Sequence, residues 1–161
     1  MMPPICWLTP RSVIDRAGPW DEALSLNDDG EYFCRIMLAA TGIVFCADAR
    51  CYYRSGVANS LSRRNDARAL RSQQRSIQLI VQHLQSAEAS SRVQEAVADA
   101  WQMLAYELYP VLPAAATAAQ AAAEAAGGSS RRILGGRLVR WSDRLWGWRF
   151  AARVKRLTQR T

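Results

Sequence analysis

Asp28-Asp29-Gly30-Glu31-Tyr32-Phe33-Cys34-Arg35-Ile36-Met37-Leu38-Ala39-Ala40-Thr41-Gly42-Ile43-Val44-Phe45-Cys46-Ala47-Asp48-Ala49-Arg50-Cys51-Tyr52-Tyr53, residues 28–53, holds the change of periodicity on which the fold turns. Tyr32, Phe33, Ile36, Met37 and Ala40 recur at helical spacing until Thr41-Gly42 stops the helix. Ile43-Val44-Phe45-Cys46 is then an apolar run of strand type, Asp48-Ala49 a turn, and Cys51-Tyr52-Tyr53 a second extended piece entering the polar loop 55–62. Helix, strand, turn and strand together predict an α/β N-terminal piece with a few short strands.

Upstream, residues 3–9 read as extended, and Thr9-Pro10 opens a short helix that Gly18-Pro19 closes. Downstream, the pattern becomes helical from about Asp66. Leu70, Ile77, Ile80, Val81 and Leu84 form one apolar stripe, and Val93, Val97, Ala100, Trp101, Leu104 and Leu108 another. Pro110 and Pro113 precede an Ala-rich helix, and Gly127-Gly128-Ser129-Ser130 reads as a hinge. A last helix, about 131–157 with an interruption at Gly135-Gly136, places Leu138, Trp141, Leu145, Trp148 and Ala152 on one stripe. The expected divisions are 1–62 (α/β), 63–126 (helical) and 127–161 (hinge and basic amphipathic helix).

With 161 residues, half of them hydrophobic, the chain can bury a core, and its composition excludes disordered, collagen-like and disulfide-scaffold classes. The longest stretch without Asp, Glu, Lys or Arg, Leu108 to Ala123, is mostly Ala and is broken by two prolines, so no membrane span is expected. The net charge of +7 is unevenly placed. From Gly127 onward there are ten basic residues against one acid, Asp143, whereas the first 126 residues hold eleven basic and thirteen acidic. The basic character belongs to the tail, and it points to an anionic surface there. Cys6, Cys34, Cys46 and Cys51 form no CxxC pair, and His83 is the only His, which argues against structural zinc. The N-terminus lacks the basic and apolar regions of a secretion signal, so a cytoplasmic location is expected.

The densest chemistry lies between Trp20 and Arg35. Asp28, Asp29 and Glu31 put three carboxylates at a helix start, after a loop carrying Trp20, Asp21 and Glu22. Two readings compete. In the first, the acids are helix furniture: Asp28 caps, Glu31 occupies the capping-box position, and Glu31 with Arg35 forms an i,i+4 pair. In the second, Asp29, which those roles leave unused, accepts a proton from a substrate hydroxyl beside an aromatic wall.

These residues resemble family 2 glycosyltransferases of the GT-A type, and the likeness covers the acceptor-side half. It runs through Trp7-Leu8-Thr9-Pro10-Arg11, Ala17-Gly18-Pro19-Trp20-Asp21-Glu22-Ala23-Leu24, Asn27 to Arg35, Gly42-Ile43-Val44-Phe45, Tyr52-Tyr53-Arg54 and Ser60-Leu61-Ser62. The resemblance implies transfer of a sugar from a nucleotide-sugar donor to a hydroxyl acceptor with inversion. It implies Asp29 as the base, Asp28 and Glu31 as supporting acids, and Trp20 with Asp21 and Glu22 at the acceptor pocket, although an indole in that loop serves equally as a core plug. Where many members carry a metal- and diphosphate-contacting His, this chain has Tyr53-Arg54, so Arg54 and Ser60 are the candidate diphosphate contacts. The family's nucleotide-binding half, with its Asp-x-Asp motif for a metal-bound diphosphate, has no counterpart here. The implied Mg or Mn ion is therefore expected only in a complete enzyme and not on this chain alone, which by itself is expected to be inactive.

The tail carries a second functional reading, a non-catalytic helical interaction module or one that docks at the inner face of a membrane. Trp141, Trp146 and Trp148 lie within eight residues among arginines, and Trp141, Arg144, Trp148 and Arg149 are the expected membrane-surface residues. In the competing reading the Trp stripe packs on the preceding helices while the arginines are solvated. Nucleic acid ranks below both, since the aromatics gather on one stripe and do not interleave for base stacking.

Overall fold

The computed structural model describes residues 3–52 and 66–158. After a 3-10 turn at Pro4–Cys6 come helices α1 (Arg11–Ala17), α2 (Asp28–Ala39), α3 (Ala67–Ala87), α4 (Ser91–Leu108), α5 (Pro113–Ala125), α6 (Arg137–Trp146) and α7 (Trp148–Thr158). The chain divides into two compact units, Met1–His83 and Leu84–Thr161, with the boundary inside α3.

The expected α/β N-terminal piece is overturned: among the described residues there is no strand and no sheet. Ile43, Val44 and Phe45 are nonhelical but lie exposed, Val44 at 93%, and Tyr52 is equally open. The chain does turn after Cys46, where Ala49 N–H donates to the Cys46 carbonyl at 3.3 Å, yet no ladder follows. The physical reason is length: runs of four and three residues form at best an isolated two-stranded hairpin, which is marginal without a third strand or a covering helix. Cys51 instead donates its thiol hydrogen to the Ile5 carbonyl at 3.1 Å.

In the N-terminal unit α1 packs on α2. Val13, Phe33 and Ile36 are buried, with Trp7, Ile14, Ala17 and Tyr32 around them, and Trp7 stacks on Phe33 with ring centroids 5.1 Å apart. Helix α1 starts one residue later than its sequence cap suggests, at Arg11, because Pro10 itself stands at the cap.

The C-terminal unit is built differently. Helices α4 and α5 lie against each other through small side chains, with Ala98, Ala105, Ala116 and Ala123 fully buried beside Leu104 and Leu108. A second cluster joins Tyr106 of α4 to Ile133, Val139, Ala151 and Ala152. The last helix is broken at Gly147, whose φ of +78° is a conformation L side chains rarely adopt, and not at Gly135-Gly136, which precede α6. Residues 127–130, read as a hinge, are fastened: Ser129 donates its hydroxyl hydrogen to Asp99, and Arg131 bonds the same carboxylate at 2.8 Å.

Candidate functional site

The site grows from Arg35. Its guanidinium meets Glu31 twice, Nε to Oε1 at 2.7 Å and Nη2 to Oε2 at 2.9 Å, and donates onward to the backbone carbonyls of Ala17 and Pro19. One side chain on α2 thus holds the α1–α2 loop in place. That loop turns at Gly18, with φ +81°, and the Arg35 guanidinium passes only 3.6 Å from where a Cβ would stand. The consequence appears two residues on. Trp20 is laid flat on Tyr32, centroids 4.3 Å apart, and its indole Nε1 donates to Asp28 Oδ2 at 3.1 Å. Trp20 is also met by the Phe33 ring, edge-on with centroids 6.3 Å apart, and the residue as a whole is 36% exposed.

The three helix-start carboxylates take three separate roles. Asp28 is committed to Trp20. Glu31 is 2% exposed and is contacted by Arg35 and by His83, whose Nε2 lies 2.9 Å from Oε1. Burial alone would raise its pKa, but the hydrogen bonds and charge of Arg35 and His83 outweigh that and hold Glu31 below the ordinary carboxylate range. An ionised carboxylate only accepts, so the hydrogen of this contact sits on His83 Nε2. Asp29 accepts the Gly30 N–H at 2.8 Å and, among the described residues, engages no other side chain. Of the loop acids, Asp21 accepts the Ala23 N–H at 3.0 Å, closing a local turn, and Glu22 is exposed.

Sequence reasoning passed over the residues that anchor this arrangement from α3. Asn27 sits in the left-handed region at φ +59°, donates its side-chain amide to Ser76 Oγ at 2.7 Å and accepts the Ser76 hydroxyl on its carbonyl at the same distance. Ser25 and Leu26 N–H groups both donate to Ser72 Oγ. Ser72, Ser76 and His83, four and seven residues apart, share one face of α3. That spacing was the available signal, and the apolar stripe of Leu70, Ile77 and Val81 runs through the same helix.

No metal fits here. The carboxylates diverge to different partners, and among the described residues no three His, Cys, Asp or Glu side chains come together as a metal-holding group. Arg54 and Ser60 lie outside the described residues, as does Tyr53.

In the C-terminal unit, Trp148 is half-buried against Tyr106 and Tyr109, centroids 5.2 and 5.3 Å away, and Arg149 bonds Gln120 at 3.3 Å while covering the Trp148 ring. Trp141 and Arg144 are exposed on α6. An open cleft of about 370 Å³ between α4 and the segment before α6 is lined by Ala100, Met103, Leu134 and the paired Asp99 and Arg131, and contains none of the expected site residues. Among the described residues no helix is long and apolar enough to cross a membrane. Compared with known protein families, with functionally characterised proteins and with solved structures, the chain finds no match.

Proposed function

We propose that the N-terminal unit is the acceptor-side part of an inverting glycosyltransferase of the family 2 kind, with Asp29 as general base. The observation that carries this reading is the division of labour at the start of α2. Asp28 and Glu31 are tied to Trp20, Arg35 and His83, which leaves Asp29 as the carboxylate with spare acceptor capacity, one residue from the acid that pins the Trp20 platform. A partly exposed indole suits stacking on a sugar ring, and a neighbouring carboxylate suits its hydroxyl.

In the proposed step Asp29 takes the proton from the acceptor hydroxyl as its oxygen attacks the anomeric carbon. The bond from that carbon to the diphosphate oxygen breaks, and the nucleoside diphosphate leaves with its electron pair. In this reading the donor sugar nucleotide, with the metal implied by the resemblance, belongs to a donor-binding part, since the sequence contains no Asp-x-Asp motif.

Two measurements test this reading. Saturation-transfer NMR with a panel of oligosaccharides should show ring protons in contact with the protein, and Trp20→Ala should remove the signal. Joined to a donor-binding half, the chain should transfer sugar, and Asp29→Asn should lower transfer by about 10²- to 10⁴-fold with the fold unchanged. Near-normal turnover by Asp29→Asn would remove the assignment.

A further inference from the structure

The basic residues of the tail fall into two groups that the sequence did not separate. Arg131 is paired with Asp99, Lys155 with Glu107 at 2.6 Å, Arg149 with Gln120, Arg153 with the Tyr109 hydroxyl and Arg156 with the Pro110 carbonyl. These cations hold the C-terminal unit together. Arg137, Arg140 and Arg144 are different: all three are exposed, and among the described residues none has a hydrogen-bond or ion-pair partner.

Those three arginines are spaced three and four apart, so they form one stripe along α6. Leu138, Trp141 and Leu145 repeat the same spacing one residue later, which places an apolar stripe about 100° round the same helix. Val139 and Ser142 take the inward face and are buried. Beyond the break at Gly147 the apolar surface continues onto α7: Trp146 packs edge-on to Trp141 and tilts against Phe150, with centroids 5.5 and 5.2 Å apart. Leu138, Trp141, Leu145, Trp146 and Phe150 are each 45–66% exposed. Folding has half-buried Trp148 against Tyr106 and Tyr109 and left this cluster outside, so the tryptophans of the tail do not all serve the core.

We propose that this face of α6 and the start of α7 docks in the plane of an anionic phospholipid bilayer. Leu138, Trp141, Leu145, Trp146 and Phe150 would enter the acyl boundary, and Arg137, Arg140 and Arg144 would meet headgroup phosphates. The occupant follows from charge and shape. An apolar stripe flanked by unneutralised arginines matches a surface that is apolar beneath and anionic above. A helix of ten residues lies in such a surface and is too short to cross it. Nucleic acid fits less well, because Trp141, Trp146 and Phe150 cover one another in a cluster, where base stacking needs separated ring faces. The proposal is independent of the glycosyltransferase reading, since every residue in it lies in the C-terminal unit.

Flotation of the full chain with phosphatidylcholine vesicles, with and without roughly a third of phosphatidylglycerol, tests it. The expected result is binding to the anionic vesicles with a blue shift of tryptophan emission, weakened by salt and nearly absent on neutral vesicles. The triple variant Arg137→Gln, Arg140→Gln, Arg144→Gln should bind at least about tenfold more weakly. Trp141→Ala with Leu145→Ala should weaken flotation and shrink the blue shift, which Trp146 alone then reports, and circular dichroism of both variants checks that the fold is kept. Equal flotation with both vesicle types, or binding unaltered by the arginine variant, overturns the proposal. Absence of vesicle binding overturns it too, and a chain that instead retains single-stranded RNA, or a dimer in light scattering, names nucleic acid or a second copy as the occupant.

Discussion

The two units reach stability by opposite means. The N-terminal unit has a small apolar cluster and relies on one-off polar clamps: Glu31 between Arg35 and His83, Arg35 on two backbone carbonyls, and Asn27 and the 25–26 backbone on the α3 serines. The C-terminal unit relies on close approach of Ala-lined helices, with ion pairs such as Arg131–Asp99 and Lys155–Glu107 towards its rim. A clamp fails by subtraction, because deleting one partner strands the other without water or counter-charge. A close-packed Ala interface fails by addition, because there is no room for further atoms.

The sharpest way to break this contrast is Glu31→Ala. Removing the buried carboxylate leaves the Arg35 guanidinium uncompensated and unties His83, at an expected cost of roughly 3 to 5 kcal/mol. Hydrogen exchange read peptide by peptide should show the loss in residues of the N-terminal unit only. The same clamp carries a pH signature. Glu31 has a folded-state pKa below its unfolded value, so its stabilisation is complete above the ordinary carboxylate range of about 4.3 and is lost as pH falls through the lower folded value. Acid titration of N-terminal stability should be flatter in Glu31→Gln than in the parent.

The matching test of the other unit adds atoms. Ala116 is fully buried, and Ala116→Leu should cost roughly 1 to 3 kcal/mol by overpacking, seen as a lowered denaturation midpoint in peptides of α4 and α5. A smaller subtraction sharpens the first unit: Asn27→Ala retains the left-handed backbone without the amide bond to Ser76 and should cost roughly 1 to 2 kcal/mol, with Asn27→Gly recovering the backbone part. Smallest of all, Asp29→Asn should change stability by less than about 0.5 kcal/mol, since its carboxylate supports only the neighbouring N–H. A large loss there would make Asp29 one more clamp and remove the reason for calling it a base.

How much of this was legible depends on whether the signal was periodic. The stripe on α4 was readable because a helix repeats its buried face: Val93, Val97, Leu104 and Leu108 are buried as their spacing predicts, while Ala100 and Trp101 of the same stripe are half-buried. The Glu31–Arg35 pair was readable for the same reason. The strands were misread because Ile43-Val44-Phe45 has strand composition whether or not anything pairs with it, and pairing is a property of neighbours. The tail was half legible: an Arg/Trp helix was visible, but not which tryptophan turns inward, because Gly147 resets the helical phase between Trp146 and Trp148. At the site, Trp20, Asp28 and Glu31 were singled out, whereas Asn27, Ser72, Ser76 and His83 act through contacts 46 to 52 residues away in sequence, so the spacing on α3 marks a shared face but does not name its partners.

Cys34 sits in the same buried layer as Glu31, and burial together with the nearby carboxylate pushes its thiol up to about 11, against the pull of Arg35. At neutral pH it is neither ionised nor reachable, while Cys6, Cys46 and Cys51 are exposed. The chain therefore carries its own clock. Under an alkylating reagent the three exposed thiols should be consumed first, and the fourth only at the rate at which the N-terminal unit opens, so that successive mass spectra follow the opening of that unit through one late adduct.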